Sequence, residues 1–155
     1  MNIFKLTIIS GGQTGADRGG LEAAKELGLQ TGGYCPKGYL TEDGPDLSLK
    51  EFGLIELKSK SYKSRTVKNI KVSDGTVIFG DTDSSGKLKS KGSLLTFNTS
   101  VKLNKPVIVN PDEATFKTWL SHNNIYVLNV AGNRESVNPG VQEMVKQFLL
   151  NIFAG

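Results

Sequence analysis

The chain has 155 residues, a formal net charge of +4, one cysteine and one histidine. That length holds one domain (1–155) with a real core and is short for two, and 37% hydrophobic with 22% charged residues is a folded rather than a disordered composition. Cys35 and His122 alone exclude a Cys/His zinc site and an internal disulfide framework, and no apolar run approaches a bilayer span.

Residues 3–9 are apolar at nearly every position and predict a strand buried on both faces; the stretch lacks a small-residue cleavage site, so the expectation is a cytoplasmic protein. SGGQTGADRGG follows at 10–20. A helix is predicted over 16–28, with Ala16, Leu21, Ala24 and Leu27 on roughly one face, a Thr14-x-x-Asp17 capping box at its start and Gly28 at its end. A short strand at 29–34, a turn-rich loop GGYCPKGYLTEDGPD, a strand near 53–57 and a helix at 62–73 with Val67, Ile70 and Tyr62 inward complete the first half.

Thr76–Phe79 reads as a buried strand, followed by GDTDSSGKLKSKGS and a helix at 93–104. A strand at 106–109, a helix capped by Asp112, a strand at 125–130 and a last helix from Pro139 follow. Strands alternating with helices imply right-handed crossovers, hence a Rossmann-like three-layer α/β sandwich with a mostly parallel sheet.

In such sheets ligands sit beyond the carboxyl ends of the strands. Three Gly-rich polar loops fall there: 10–17, 80–93 and 131–136. The first two open helices, whose unpaired N–H groups and dipole favour an anion. Nucleotide fingerprints are missing. The first turn is not G-x-G-x-x-G, and Gly33-Tyr-Cys-Pro-Lys-Gly38 has P-loop spacing until Tyr39 stands where a Lys is required. His122 precedes the last strand, at the opposite edge of the sheet, which argues against a Ser-His catalytic pair. Charge is clustered: residues 58–71 carry six cations and no acid, and 84–111 carry five lysines and no acid. These runs suit either solvated helix faces or anion binding. No helix-turn-helix, RNP or zinc-finger pattern accompanies them, so nucleic acid is not the expected partner.

ISGGQTGADRGGL, GGYCPKGYLTEDGP, NIKVSDGTVIFG and LNVAGNRES followed by PG, in this order over nearly the whole chain, resemble the molybdenum cofactor carrier proteins. That family is related to the lysine-decarboxylase-like phosphoribohydrolases. The resemblance implies a homo-oligomeric carrier, commonly a tetramer, that binds, stores and protects molybdenum cofactor (molybdopterin) without transforming it; molybdenum enzymes are the recipients to test as partners. This ligand is anionic at both its phosphate and its oxo-metal end. Gly11, Gly12, Gln13, Thr14 and Gly15 are the donors expected at the first loop, with Asp17 capping the helix or orienting Arg18. Arg18 itself reads as either a ligand or a surface residue. Lys37, Arg65 and Lys68 are candidate charge partners. Asn133, Arg134, Glu135 and Ser136 are expected to face the pterin or oxo groups, with Arg134 suited to bidentate oxyanion contact.

The third region departs from the family. Lys91-Gly92-Ser93-Leu94-Leu95-Thr96-Phe97-Asn98 stands where relatives carry a Gly-Gly-Thr run leading to a Glu, with Gly92 and Ser93 keeping the turn and hydroxyl and Asn98 near the position of the acid. The Gly-Gly-x-Gly-Thr-x-x-Glu carboxylate of the phosphoribohydrolases has no counterpart on this helix. Phosphoribohydrolase activity would need Glu135, Asp43 or Asp81 as its acid; a nucleotide-sensing module is the third reading. Cys35 is either a buried core residue or a group near the metal.

Overall fold

The computed structural model describes residues 5–154. Nine strands and five α-helices follow in chain order among them. β1 (Thr7–Ile9), α1 (Ala16–Glu26), β2 (Gln30–Gly32), β3 (Tyr34–Cys35), β4 (Leu40–Thr41) and β5 (Gly44–Pro45) precede a 3-10 helix at Leu47–Phe52. Then come β6 (Ile55–Glu56), α2 (Tyr62–Val72), β7 (Gly75–Phe79), α3 (Lys91–Lys102), β8 (Val107–Val109), α4 (Glu113–His122), β9 (Val127–Gly132) and α5 (Val141–Ala154). Of the first predicted strand, residues 3 and 4 lie outside the described residues.

Five strands form one parallel sheet in the order β2-β1-β9-β7-β8. The chain leaves β1 in one direction and β7 in the other. Right-handed crossovers therefore place α1 and α4 on one face with α5, and α2 and α3 on the other. This is the Rossmann-like three-layer arrangement, and its point of reversal lies over β9. β3 and β6 pair in parallel and β4 and β5 as a hairpin, both outside the main sheet.

Strand alternation divides the interior. Ile8, Val77, Phe79, Leu128 and Val130 pack with Phe116, Leu120, Val145 and Leu149 in the main core. The ring of Phe116 lies 5.9 Å from that of Trp119 and 5.7 Å from that of Phe148. The alternate positions are polar or small: Thr76 and Asn129 are paired across β7 and β9, and the Asn129 amide donates to Thr76 Oγ1 at 3.2 Å. Beneath α2 and α3 the buried residues include Asn69, Ser93, Thr96 and Ser100.

Local expectations are met in part: the strand predicted at 29–34 divides at Gly33 into β2 and β3, which lie in different sheets, the helix predicted at 93–104 begins at Lys91, and the strand predicted at 125–130 is Val127–Gly132. Gly28 ends α1 as predicted: at φ 73° its N–H bonds the Lys25 carbonyl and Leu29 N–H that of Ala24, a Schellman motif. Asp112 caps α4 by accepting from Thr115 N–H at 2.7 Å. The Thr14–Asp17 capping box does not form, because Gly15 is the N-cap and Thr14 is bonded to Glu42 instead. The last helix begins at Val141 rather than Pro139; its first N–H groups are served by the Glu135 carboxylate, which accepts from Gly140 at 2.7 Å and Gln142 at 3.0 Å.

Candidate functional site: a donor-lined crevice over β9

The three predicted loops do meet. A cavity of about 280 Å³ opens at the carboxyl end of β9. The first loop contributes Gly11, Gln13 and Asp17, the second Ser90 through Ser93, and the third Ala131 through Arg134. Tyr62, Arg65, Thr66 and Asn69 of α2, Leu95 and Thr96 of α3, Asn129 of β9 and Val137 complete the wall.

Asp17 and Arg65 form the floor. Arg65 Nη1 donates to Asp17 Oδ2 at 2.7 Å, and Gln13 N–H reaches the same oxygen at 3.2 Å. Burial pushes the Asp17 carboxyl above its ordinary range, against the opposing pull of Arg65. Gly11 makes this pair possible, since a Cβ there would overlap the Arg65 guanidinium. Asp17 therefore orients Arg65, not Arg18.

The first loop satisfies its own backbone. Gly12 N–H donates to Ser10 Oγ at 3.2 Å, Thr14 N–H to Gln13 Oε1 at 3.0 Å, Gly15 N–H to Gln142 Oε1 at 3.3 Å, and Ala16 N–H to the Asn133 carbonyl at 3.0 Å. Gly15 adopts φ 85° where a Cβ would overlap the Asn133 carbonyl, and Gly19 and Gly20 bring α1 against α5 and β9. The glycines thus serve close packing, and the expected backbone anion cradle at α1 is already filled by protein acceptors.

Free donors lie elsewhere. Gln13 Oε1 accepts from Thr14 and Glu42 N–H, which fixes the carboxamide and leaves its buried Nε2 without a partner. Arg65 Nε and Ser93 Oγ are likewise buried and unpartnered. All three side chains line the crevice. At the start of α3, Ser90 caps Ser93 N–H, while no protein acceptor faces the N–H groups of Lys91 and Gly92 among the described residues. The anion-favouring helix terminus is that of α3.

The remaining predicted residues divide into supports and surface groups. Asn133 holds loops together: its Oδ1 accepts from Asp81 N–H at 2.7 Å and its Nδ2 donates to Ser90 Oγ at 3.2 Å. Arg134 stands in the wall, its guanidinium 5.6 Å from the centre of the Tyr62 ring, with that of Arg65 at 5.4 Å. Gly12 faces Leu49 and Leu54 instead of the cavity. Thr14 and Ser136 are bound by the Glu42 carboxylate, which joins the first and third loops through the β4–β5 hairpin. Burial raises the Glu42 pKa, but the hydrogen bonds from Ser136 and Thr14 outweigh it and hold the carboxyl below its ordinary range. Arg18 bonds Asp46 and Ser48 and lies over Phe52, away from the crevice. Lys37 is exposed, with its backbone N–H on the Ser59 carbonyl; Lys68 lies over Tyr34.

None of the carboxylates named for hydrolysis lines the crevice. Glu135 caps α5, Asp43 is exposed at the hairpin turn, and Asp81 serves Asn133 through its backbone. Asn98 is exposed, and the three-residue step from Ser93 lands on Thr96, whose hydroxyl donates to the Gly92 carbonyl. Cys35 is fully buried against Leu21, Leu49, Phe52 and Leu54, and burial with the nearby Glu56 charge raises its thiol to about 11. Among the described residues, no group of three or more His, Cys, Asp or Glu could hold a metal ion, and no helix is long and apolar enough to cross a membrane.

Sequence reasoning missed Asn69, Asn129, Thr96 and Glu42. The signal for the first three was a polar residue at an inward-facing position of an otherwise packed helix or strand. Glu42 left none, because its partners are brought to it by the fold.

Fold and crevice define a Rossmann-like α/β protein with its site at the switch point of a parallel sheet. The chain belongs to the circularly permutated YpsA SLOG family, whose model matches residues 8–153. It is also similar to a crystal structure from Syntrophus aciditrophicus SB described as a "putative molybdenum carrier protein", with 33% identity, a TM-score of 0.84, and coverage of 96% of this chain and 94% of that one. That likeness bears out the resemblance to molybdenum carriers read from the motifs. No curated protein gives a significant match.

Proposed function

We propose that this protein binds an anionic, phosphate-bearing small molecule in the β9 crevice without transforming it, and that the ligand is molybdenum cofactor. The observation that carries the reading is the convergence of three buried, unpartnered polar atoms, Gln13 Nε2, Arg65 Nε and Ser93 Oγ, on one cavity. Leaving such groups unpaired is costly, and ligand oxygens are the acceptors two of them require. The N-terminus of α3 with Gly92 and Ser93 suits the phosphate; Arg134 suits a second oxyanion at the rim. The dithiolene of the cofactor supplies its own metal ligation, so the donor set asked of the protein is one for oxygen anions, and this is the set present. Asp17 is the one carboxylate in the described wall and is committed to Arg65, which favours carriage over acid–base chemistry. A homotetramer and recipient molybdenum enzymes belong to the same proposal.

Binding of freshly released molybdenum cofactor to the purified protein is the test, with Gly92→Asp and Arg134→Ala as variants and nucleoside monophosphates as competitors. A Cβ at Gly92 meets open space, so the Asp variant keeps the fold while placing a carboxylate at the α3 terminus. Saturable binding lost in Gly92→Asp and weakened in Arg134→Ala is the expected result. Binding unaffected by either change, or nucleotides displacing the cofactor at lower concentration, overturns the reading. Sedimentation of the loaded protein checks the tetramer.

A further inference from the structure

Two lysine triads flank the end of the molecule at which the crevice opens. Lys58, Lys60 and Lys63 lead into α2 and its first turn, and Lys87, Lys89 and Lys91 lead into α3. All six are exposed. None is in an ion pair among the described residues, where the ion pairs engage Arg18, Arg65 and Lys146. Neither α2 nor α3 carries a carboxylate, whereas α1, α4 and α5 together carry Asp17, Glu22, Glu26, Glu113 and Glu143.

The backbone bearing these lysines is pinned. In the second triad, Asp83 Oδ1 accepts from Ser85 N–H, Ser85 Oγ and Lys87 N–H, and Lys89 N–H bonds the Asp81 carbonyl at 2.9 Å. Leu88 is buried between Lys87 and Lys89 in a bridge to Thr82, which turns both lysines outward. In the first triad, Leu57 N–H bonds the Cys35 carbonyl and Lys37 N–H the Ser59 carbonyl, both at 2.8 Å. Lys87 faces the Asp83 carboxylate of its own turn, but lysines outnumber acids in both segments and α2 and α3 add no carboxylate, so an ordered display of this kind has its electrostatic return when an anionic surface meets it.

We infer that the two triads form a docking surface for an acidic protein, placed so that the partner sits over the crevice mouth. Nucleic acid fits less well. The triads hold no arginine for bidentate phosphate or base contact. The Tyr62 and Tyr34 rings that would stack bases are occupied by Arg65, Arg134 and Lys68. Lysines at a rim, rather than an apolar anchor, define a weak, salt-sensitive and fast-exchanging complex, the kind a ligand hand-over requires. The docking surface does not depend on which anion the crevice holds.

The probe is fluorescein-labelled poly-L-glutamate, with oligothymidylate of equal charge as comparator, titrated with the full-length protein and read by anisotropy. One variant combines Lys58→Glu, Lys60→Glu, Lys87→Glu and Lys89→Glu. A control combines Lys5→Glu, Lys25→Glu, Lys50→Glu and Lys117→Glu, with the same change of net charge away from the mouth. Poly-glutamate affinity is expected to fall about tenfold or more in the first variant, to change much less in the control, and to drop steeply with salt. Equal losses in both variants, no poly-glutamate binding, or oligothymidylate binding as tightly as poly-glutamate overturns the inference. Crevice occupancy is scored separately with the cofactor, so failure of the carrier reading and failure of docking give different results.

Discussion

The two faces of the central sheet use the same strands for opposite ends. On the α1/α4/α5 side, Leu128 and Val130 of β9 meet a cluster of aliphatic and aromatic side chains. On the α2/α3 side, Asn129 and Ala131 of the same strand meet the crevice, and the helices above bury hydroxyls and amides. Hydrophobic burial on the first face stabilises the fold enough for the second to keep polar groups unpaired. A site with free donors is thus built at a stability cost the opposite face offsets.

The largest way to sharpen this contrast is Phe116→Ala, which removes the most voluminous fully buried side chain among the described residues. It should cost about 3–5 kcal/mol in denaturant unfolding, while the remaining folded protein binds its ligand with unchanged affinity. A parallel loss of affinity would show that the two faces are not separable.

Next is Arg65→Met. It leaves the buried Asp17 carboxylate without its counter-charge and should cost about 3 kcal/mol or more at neutral pH. The sign of its pH dependence follows from the raised Asp17 pKa: the stability linked to the protonated carboxyl is complete below the ordinary carboxylate range and is lost as pH rises through the folded value. Unfolding midpoints of Arg65→Met should therefore decline with rising pH more than those of the parent, and adding Asp17→Asn should remove the excess.

Glu42→Ala probes the hairpin that fixes the Gln13 carboxamide. Ligand affinity should fall roughly tenfold with little change in stability, because the released groups reach water. Loss of stability without loss of affinity would demote Glu42 to a loop anchor. The smallest expected effect is on ligand-free Ser93→Ala. Removing an unpartnered buried hydroxyl should leave the melting temperature unchanged or slightly raised, yet weaken ligand binding by up to about tenfold.

Much of the fold was legible because its signals are local. The apolar runs at β7 and β9, the Gly28 and Asp112 caps, and the alternation of strand and helix each depend on a few adjacent residues. The site was legible only in outline. Gly92, Ser93, Arg65 and Arg134 fell in or beside the right loops, but Thr14, Arg18, Glu135 and Ser136 read equally well as ligand contacts until their partners were known. Arg65 meets Asp17 across 48 residues, and Glu42 meets Ser136 across 94. No periodicity or turn rule reports such pairs.

What the sequence determined by itself was the order of elements, the parallel sheet and the convergence of three Gly-rich loops at its carboxyl edge, since periodicity, turn chemistry and crossover handedness suffice for these. Only the tertiary structure decided which donors are free. Whether an N–H faces a ligand or a protein acceptor depends on groups far away in the chain, and at the first loop those acceptors, Asp17, Gln142 and the Asn133 carbonyl, had already taken the places that the glycines had promised to an anion.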